Sequence, residues 1–215
     1  MKKPIKLNLG CGLNTHPDYI NIDNSPGVTL ARFPRLKRLL FRLKIISEKQ
    51  YRADWPAGIT RLDLKRGLPF PDGSVERIYS SHFLEHLSAD AGRGFLKECH
   101  RVLAPGGIFR LVVPDLVIAA EKYLEATRRI SASPPGRFFR TAHDEFLKII
   151  CGQYLHKNRP GAEHCYIYDY PTLYLILSEI GFQKIERSSF RQSRDPDLAS
   201  LDRKPAISLY LEIIR

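Results

Sequence analysis

The chain has no apolar run of 18 residues or more, so nothing in it reads as a membrane span. Cysteine is sparse: Cys11, Cys99, Cys151 and Cys165 lie far apart without a C-x-x-C pair, and they read as free thiols rather than a disulfide framework. The start, Met1-Lys2-Lys3-Pro4, runs straight towards a strand with neither an apolar leader core nor a cleavage site, so the expected location is cytoplasmic. Internal repeats and low-complexity tracts are missing as well. Acid is in short supply, with 23 Asp and Glu against 34 Lys and Arg and a formal charge of +11. That imbalance calls for an anionic partner: nucleic acid, an acidic membrane surface or a phosphorylated substrate. With 215 residues and 43% hydrophobic content, the chain is long enough for one domain with a substantial core.

What is present begins with Lys6-Leu7-Asn8-Leu9-Gly10-Cys11-Gly12, an apolar strand running into two glycines. Glycine there lets the backbone turn sharply and approach a ligand closely, although a plain tight turn would also use it. Residues 19–23 read as a second strand ending at Asp23, whose carboxylate could accept from a ribose hydroxyl pair or close an Asx turn before Asn24-Ser25-Pro26. Asp23 follows Gly10 by only thirteen positions, and Pro17 interrupts the segment, which leaves no room for a full crossover helix and speaks against a nicotinamide dinucleotide enzyme. Residues 59–64 and 75–81 read as third and fourth strands, and 108–113 as a fifth, buried on both faces. Between the last two, Ser88-Ala89-Asp90 caps a helix with Phe95, Leu96, Cys99, Val102 and Leu103 on one face, stopped by Pro105-Gly106-Gly107.

Charge is concentrated in residues 32–52. Arg32, Arg35, Lys37, Arg38, Arg42, Lys44, Lys49 and Arg52 face the single acid Glu48, leaving +7 of the chain's +11. Leu36, Leu39, Leu40 and Leu43 recur at helical spacing opposite the arginines. Such a basic amphipathic helix either docks its leucines on the core or meets an anionic membrane surface or substrate; with few aromatics among the cations, nucleic acid ranks below these. Further on, helices are expected from Pro114 to about 129, over 138–154 and over 170–179, the last stopped by Gly181. A closing antiparallel pair is expected over 182–190 and 207–214, with 191–205 as a long polar loop.

These motifs, together with Asp63-Leu64, Leu68-Pro69-Phe70-Pro71-Asp72-Gly73-Ser74, Leu84-Glu85-His86-Leu87 and Arg101-Val102-Leu103-Ala104-Pro105-Gly106-Gly107, stand in the order seen in class I S-adenosylmethionine-dependent methyltransferases. The chain resembles the methyltransferase type 11-like branch of small predicted enzymes associated with polysaccharide and lipopolysaccharide biosynthesis. Residues 5–115 carry the resemblance well, the remainder more loosely. Asn8 departs from the family's usual first-strand acid, and the segment after Gly12 is shortened.

The resemblance implies a Rossmann-like, doubly wound α/β fold. A mostly parallel seven-stranded sheet with a C-terminal antiparallel pair would form a single domain over residues 1–215, with a basic helical insert at about 30–52 and a lid-like helical insert at about 115–160. It implies S-adenosylmethionine as cofactor and S-adenosylhomocysteine as product, held by Asn8, Gly10, Cys11, Gly12, Asp23, Asp63, Leu64, Ser80 and Ser81. The acceptor would be a sugar hydroxyl of a glycan or its lipid- or nucleotide-linked precursor, with RNA, a small metabolite or a non-catalytic partner role as alternatives. Methyl transfer to a hydroxyl needs proximity and a base; His82 is the first candidate, then His86 and Asp115. Glu85, His164 and Tyr166 fall on the acceptor side. His82, Glu85 and His86 would share one helical face, which suits local pairing and also a metal-assisted transfer; the Cys151, His156, His164 and Cys165 spacing fits no common zinc knuckle, and no residue set is assigned to a metal. A peripheral contact with the inner membrane face through residues 32–52 completes the expectation.

Overall fold

Strand β1 (Ile5–Leu9) is the hinge of the architecture, pairing in parallel with β2 (Ile20–Ile22) on one side and β3 (Val75–Ser81) on the other. In the computed structural model, which describes residues 4–130, 143–144, 146–147, 149–151, 163–204 and 207–215, the sheet continues through β4 (Leu103–Pro114), parallel to β3. Strand β6 (Ser208–Ile214) runs antiparallel to β4, and β5 (Lys184–Ser188) antiparallel to β6, giving the order β2-β1-β3-β4-β6-β5. From Gly107 to Pro114, β4 is continuously buried, as an apolar strand covered on both faces must be. Helix α4 (Ala89–Val102) starts where Ser88 Oγ accepts from the Ala91 amide. It seats Phe95, Leu96, Cys99 and Val102 in the core formed with Leu7, Leu9, Ile78 and Leu111.

The described residues form six strands rather than seven. The missing one is 59–64, which makes a single bridge between Ile22 and Thr60. After that bridge Asp63 turns its carboxylate onto the Lys65 amide and opens a one-turn 3-10 helix, Leu64–Arg66. A side chain that satisfies the next backbone donor competes with ladder formation, and β2, three residues long, offers little edge to pair with.

The basic stretch is two short helices, not one, α2 (Pro34–Arg42) and α3 (Glu48–Arg52), preceded by α1 (Pro26–Ala31). Pro34 forces Phe33 out of helical geometry, and a Ser47–Gln50 capping box restarts the helix after Lys44, which has φ +56°. Helix α2 packs on α3 through Phe41 stacked on Tyr51 at 4.4 Å and through Lys37 Nζ donating to Ala53 O at 2.7 Å. Trp55 anchors the insert: its indole lies so close to Gly27 that a Cβ there would meet it at 2.2 Å. The leucines do not dock on the core. Leu36, Leu39 and Leu43 are 44%, 51% and 60% exposed.

After α5 (Leu116–Ile130), the expected break at 134–136 and the greater part of the 138–154 helix and lid-like insert lie outside the described residues. Helix α6 (Tyr170–Ile180) ends at Gly181 in the left-handed region, as its sequence predicts. Within 191–205 the expected loop contains helix α7 (Pro196–Leu201), capped by Asp195 and buried through Leu198 and Leu201. The loop is fixed by Arg110 of β4: its guanidinium donates to both carboxylate oxygens of Asp202, at 2.9 and 2.6 Å, and to the Ser189 and Gln192 carbonyls, with both side chains of the pair fully buried.

Candidate active site

Leu9 and Ser80 are register partners, so the C-terminal ends of β1 and β3 open side by side. Both strands end in left-handed backbone, at Gly10 (φ +67°), Gly12 (φ +54°) and His82 (φ +52°). A histidine in that region is uncommon and is held there by its surroundings. The ends of the two strands border a cavity of about 730 Å³ lined by Asn8, Gly10, Gly12, Asn14, Ser81 and His82, and by Arg203 and Lys204 from the far loop. Its volume lies within the range of small-molecule sites, about 300–1,000 Å³.

The loop between β1 and β2 stands where a crossover helix would otherwise be, and buried Asn8 organises it. Its Nδ2 donates to Asn14 O at 2.7 Å and to Asn21 Oδ1 at 2.9 Å. A carboxylate could make neither bond, so the asparagine follows from the short loop. The Gly10 and Cys11 amides both donate to Ile22 O, at 2.9 and 3.1 Å, and the Gly12 amide donates to Asp23 Oδ2 at 2.8 Å. Asp23 Oδ1 accepts from the Ser25 amide. Asp23 is therefore the brace of the glycine loop, with a second acceptor position left on each oxygen. The Cys11 side chain belongs to a small cluster with Val28, Ile59 and Trp55. Burial, and then the Asp23 carboxylate, push its thiol up to about 12, so it stays protonated.

Other expected cofactor residues are divided. Ser81 lines the cavity, whereas Ser80 is buried with its hydroxyl unpartnered among the described residues. Asp63 caps the 3-10 turn and Leu64 lies in the core; neither they nor Asp23, behind the glycine loop, are among the residues lining the cavity.

The acceptor-side and base candidates converge more than their sequence separation suggests. His82 Nδ1 meets Glu85 Oε1 at 3.1 Å and Nε2 meets Ser208 Oγ at 2.9 Å. Ser208 Oγ also lies 2.8 Å from Lys204 O, so both ring nitrogens of His82 are engaged, one by the Glu85 carboxylate and one by a tethered serine hydroxyl. Asp115 is spent too: buried, it accepts from the Val117 amide and from Arg187 Nη2, both at 2.9 Å. His86 differs, because its Nδ1 donates to Glu163 O at 2.9 Å and leaves Nε2 with its lone pair. His164 repeats the pattern with Ile149 O, and the two rings meet edge to face at 5.1 Å between centroids. Burial holds the His164 imidazole below the ordinary histidine range. Burial pushes the Glu85 carboxyl up, but the hydrogen bond and charge of His82, with His86, outweigh it and hold the group below the usual carboxylate range. The helical face expected for His82, Glu85 and His86 is in fact one 3-10 turn, Leu84–His86. The segment carrying His164 and Tyr166 is latched to that turn, with the Cys165 amide donating to Glu85 O at 2.7 Å.

Arg203 and Lys204 were not foreseen: they sit in a polar stretch with no motif, and long-range contacts bring them to the cavity, among them the Arg110–Asp202 pair and the bond from Tyr210 to Arg203 O.

Residues 41–111 match the family described as a methyltransferase domain. A curated relative, a probable S-adenosylmethionine-dependent methyltransferase from Mycolicibacterium smegmatis, is 39% identical over 61 residues, covering 26% of this chain and 23% of that protein. The chain thus spans less than a quarter of that relative's length. Among solved structures, an S-adenosylmethionine-dependent methyltransferase from Mesorhizobium loti superposes with a TM-score of 0.54 at 22% identity, covering 99% of this chain and 91% of that one. A second, from Archaeoglobus fulgidus, gives 0.51 at 14% identity over 99% and 87%. Both likenesses concern the fold. The fold is thus that of these S-adenosylmethionine-dependent methyltransferase structures, and residues 41–111 match the methyltransferase-domain family.

Proposed function

We propose that the chain transfers a methyl group from S-adenosylmethionine to a sugar hydroxyl of a cell-surface glycan or of its lipid- or nucleotide-linked precursor. The observation that carries this reading is the cavity at the glycine loop, which reaches His82 and, through it, the Glu85, His86 and His164 cluster. The cavity fits the cofactor: Gly12 has no atom within 4 Å of where a Cβ would stand, so its backbone is open to a ligand. Gly10 and Gly12 would flank the amino-acid end, Asp23 would accept from ribose hydroxyls, and Arg203 and Lys204 suit a carboxylate. S-adenosylmethionine when bound supplies an electrophilic methyl whose leaving thioether is neutral, so no acid is required. The chain's task is to orient the acceptor hydroxyl and take up its proton. Of the basic groups near the cavity, the Glu85, His86 and His164 cluster retains lone pairs for that task, whereas His82 and Asp115 are engaged. Tyr166, exposed beside the same turn, offers a ring face for a sugar.

Calorimetric titration with S-adenosylmethionine and S-adenosylhomocysteine, followed by labelled-methyl transfer to a panel of nucleotide-sugars, lipid-linked glycans and RNA, tests this. Micromolar binding of both sulfur ligands, lost in Asp23→Ala, and label in a glycan are expected. Failure to bind either ligand overturns the activity; label in RNA alone overturns the acceptor.

The insert supports an acceptor near a membrane. Exposed Leu36, Leu39 and Leu43 form one stripe of α2 beside Arg35, Arg38 and Arg42, an arrangement complementary to an anionic lipid surface. No helix among the described residues is long and apolar enough to cross a membrane. We therefore infer a peripheral contact. Vesicles with about one-third anionic lipid should sediment the wild-type chain but not a Leu36→Ser/Leu39→Ser/Leu43→Ser variant, and each cation should contribute on the order of 1 kcal/mol at low salt. Equal sedimentation of the two proteins would remove the membrane from the reading.

A further inference from the structure

We propose that Glu85, His86 and His164 form a binding site for one divalent first-row transition-metal ion, adjoining the cofactor cavity on the far side of His82.

Glu85 provides the first argument. Its side chain is 1% exposed, Oε1 is held by His82, and Oε2 is buried with no hydrogen-bond partner among the described residues. A buried carboxylate oxygen without a partner costs free energy, and native structures seldom retain one without a ligand for it. The second argument is the tautomer of the two histidines. A carbonyl oxygen only accepts, so the contacts of His86 with Glu163 O and of His164 with Ile149 O require the proton on each Nδ1. Each Nε2 is thereby left as a lone-pair donor, and a backbone carbonyl behind the ring is the outer-shell support that metal-bound histidines have.

Third, one potential ligating atom from each of the three residues lies within 4.8 Å of the other two. Ligands about 2.1 Å from a tetrahedral ion stand about 3.4 Å apart, so the three must draw in by about 1 Å, a shift that side-chain rotation provides. The backbone already supports them, since the Cys165 and Tyr166 amides both donate to Glu85 O and fix the His164 segment against the turn of Glu85 and His86. His82 orients the carboxylate from the other side and acts as a positioning residue. Two imidazoles and one carboxylate form an N₂O set suited to zinc, cobalt or manganese, with coordination positions left open. The role of the ion rests on the methyltransferase reading: with these three groups ligating, the ion would replace them as the means of activation, and an acceptor hydroxyl entering an open position would lose its proton to water more readily. The site itself does not depend on that reading.

The test uses the full chain, freed of any affinity tag and treated with chelator, titrated with Co²⁺ by visible absorption and with Zn²⁺ by calorimetry. S-adenosylmethionine binding is measured on the same samples. One equivalent of either ion with a Kd in the micromolar range or below is expected, with the intense visible bands of low-coordinate cobalt. His164→Ala and Glu85→Gln should each weaken binding at least 10-fold while the circular dichroism of the fold is retained. No stoichiometric binding by the wild-type chain overturns the proposal. So does unchanged affinity in His164→Ala, and that variant keeps the test decisive if Glu85→Gln fails to fold. Metal binding without S-adenosylmethionine binding would leave the site standing and remove the methyltransferase reading; the reverse result would do the opposite.

Discussion

Replacing Gly10 and Gly12 separately with alanine should give two different defects, although both glycines lie in one loop at positive φ. A left-handed alanine costs roughly 1–2 kcal/mol, offset by about 0.4–1 kcal/mol because alanine restricts the unfolded chain. Gly12→Ala should therefore destabilise the fold by only about 0.5–1 kcal/mol, since no atom lies within 4 Å of its new methyl. At Gly10 the methyl would stand 2.7 Å from three atoms of Phe83, Cβ among them. A Cβ cannot swing away, and the Phe83 ring is held edge to face against Phe95 at 5.2 Å. Overpacking of this kind adds about 1–3 kcal/mol, bringing Gly10→Ala to about 2–4 kcal/mol. At about 2–4 °C of Tm per kcal/mol for a chain of this length, the melting point should fall by about 6–12 °C for Gly10→Ala and about 2 °C for Gly12→Ala. Affinity should rank the other way among folded molecules: the Gly12 methyl projects into open space at the cavity wall, and S-adenosylmethionine binding should weaken at least 10-fold. Urea titration with an unchanged m-value, thermal melting and calorimetry read these quantities. A Gly12→Ala variant as unstable as Gly10→Ala would refute the argument that Phe83 distinguishes the two positions.

Asn8→Asp should lower stability by about 2–3 kcal/mol, because the buried amide donors to Asn14 O and Asn21 Oδ1 become acceptors facing acceptors; a neutral effect by urea titration would contradict the role given to Asn8. Asp202→Ala strands the fully buried Arg110 guanidinium and should cost about 3–5 kcal/mol. Arg110→Met with Asp202→Leu should recover much of that loss, and a double variant no more stable than Asp202→Ala would contradict it. Glu98 is held at about 2 by its hydrogen bonds to Arg101 and, after the opposing effect of burial, to the Leu68 amide. Its folded value lies below its unfolded one, so this contribution is present above the unfolded value of about 4.3 and is lost as pH falls towards 2. Glu98→Gln should flatten the stability profile over that interval while leaving its shape above about pH 5 unchanged.

Local chemistry made much of the fold legible. Alternation and burial of β1, β3 and β4, the Ser88 cap, the Gly181 stop and the antiparallel closing pair each follow from residues adjacent in the chain. Where the reading and the structure differ, a short-range competitor decides: the Asp63 cap ends strand pairing, Pro34 divides the basic helix, and Leu198 with Leu201 makes a helix of a polar stretch.

Residue type and spacing alone establish that a glycine loop ends the first strand and that positive charge collects on an amphipathic insert. Tertiary structure decided the rest. Whether the leucines of the insert are covered depends on what packs above them, and the engagement of His82 Nε2 depends on Ser208, 126 residues away. His164 comes to Glu85 and His86 because the amides of residues 165 and 166 bind the carbonyl of Glu85. Backbone groups carry no signature in sequence, so a site assembled by them becomes visible only in the folded chain.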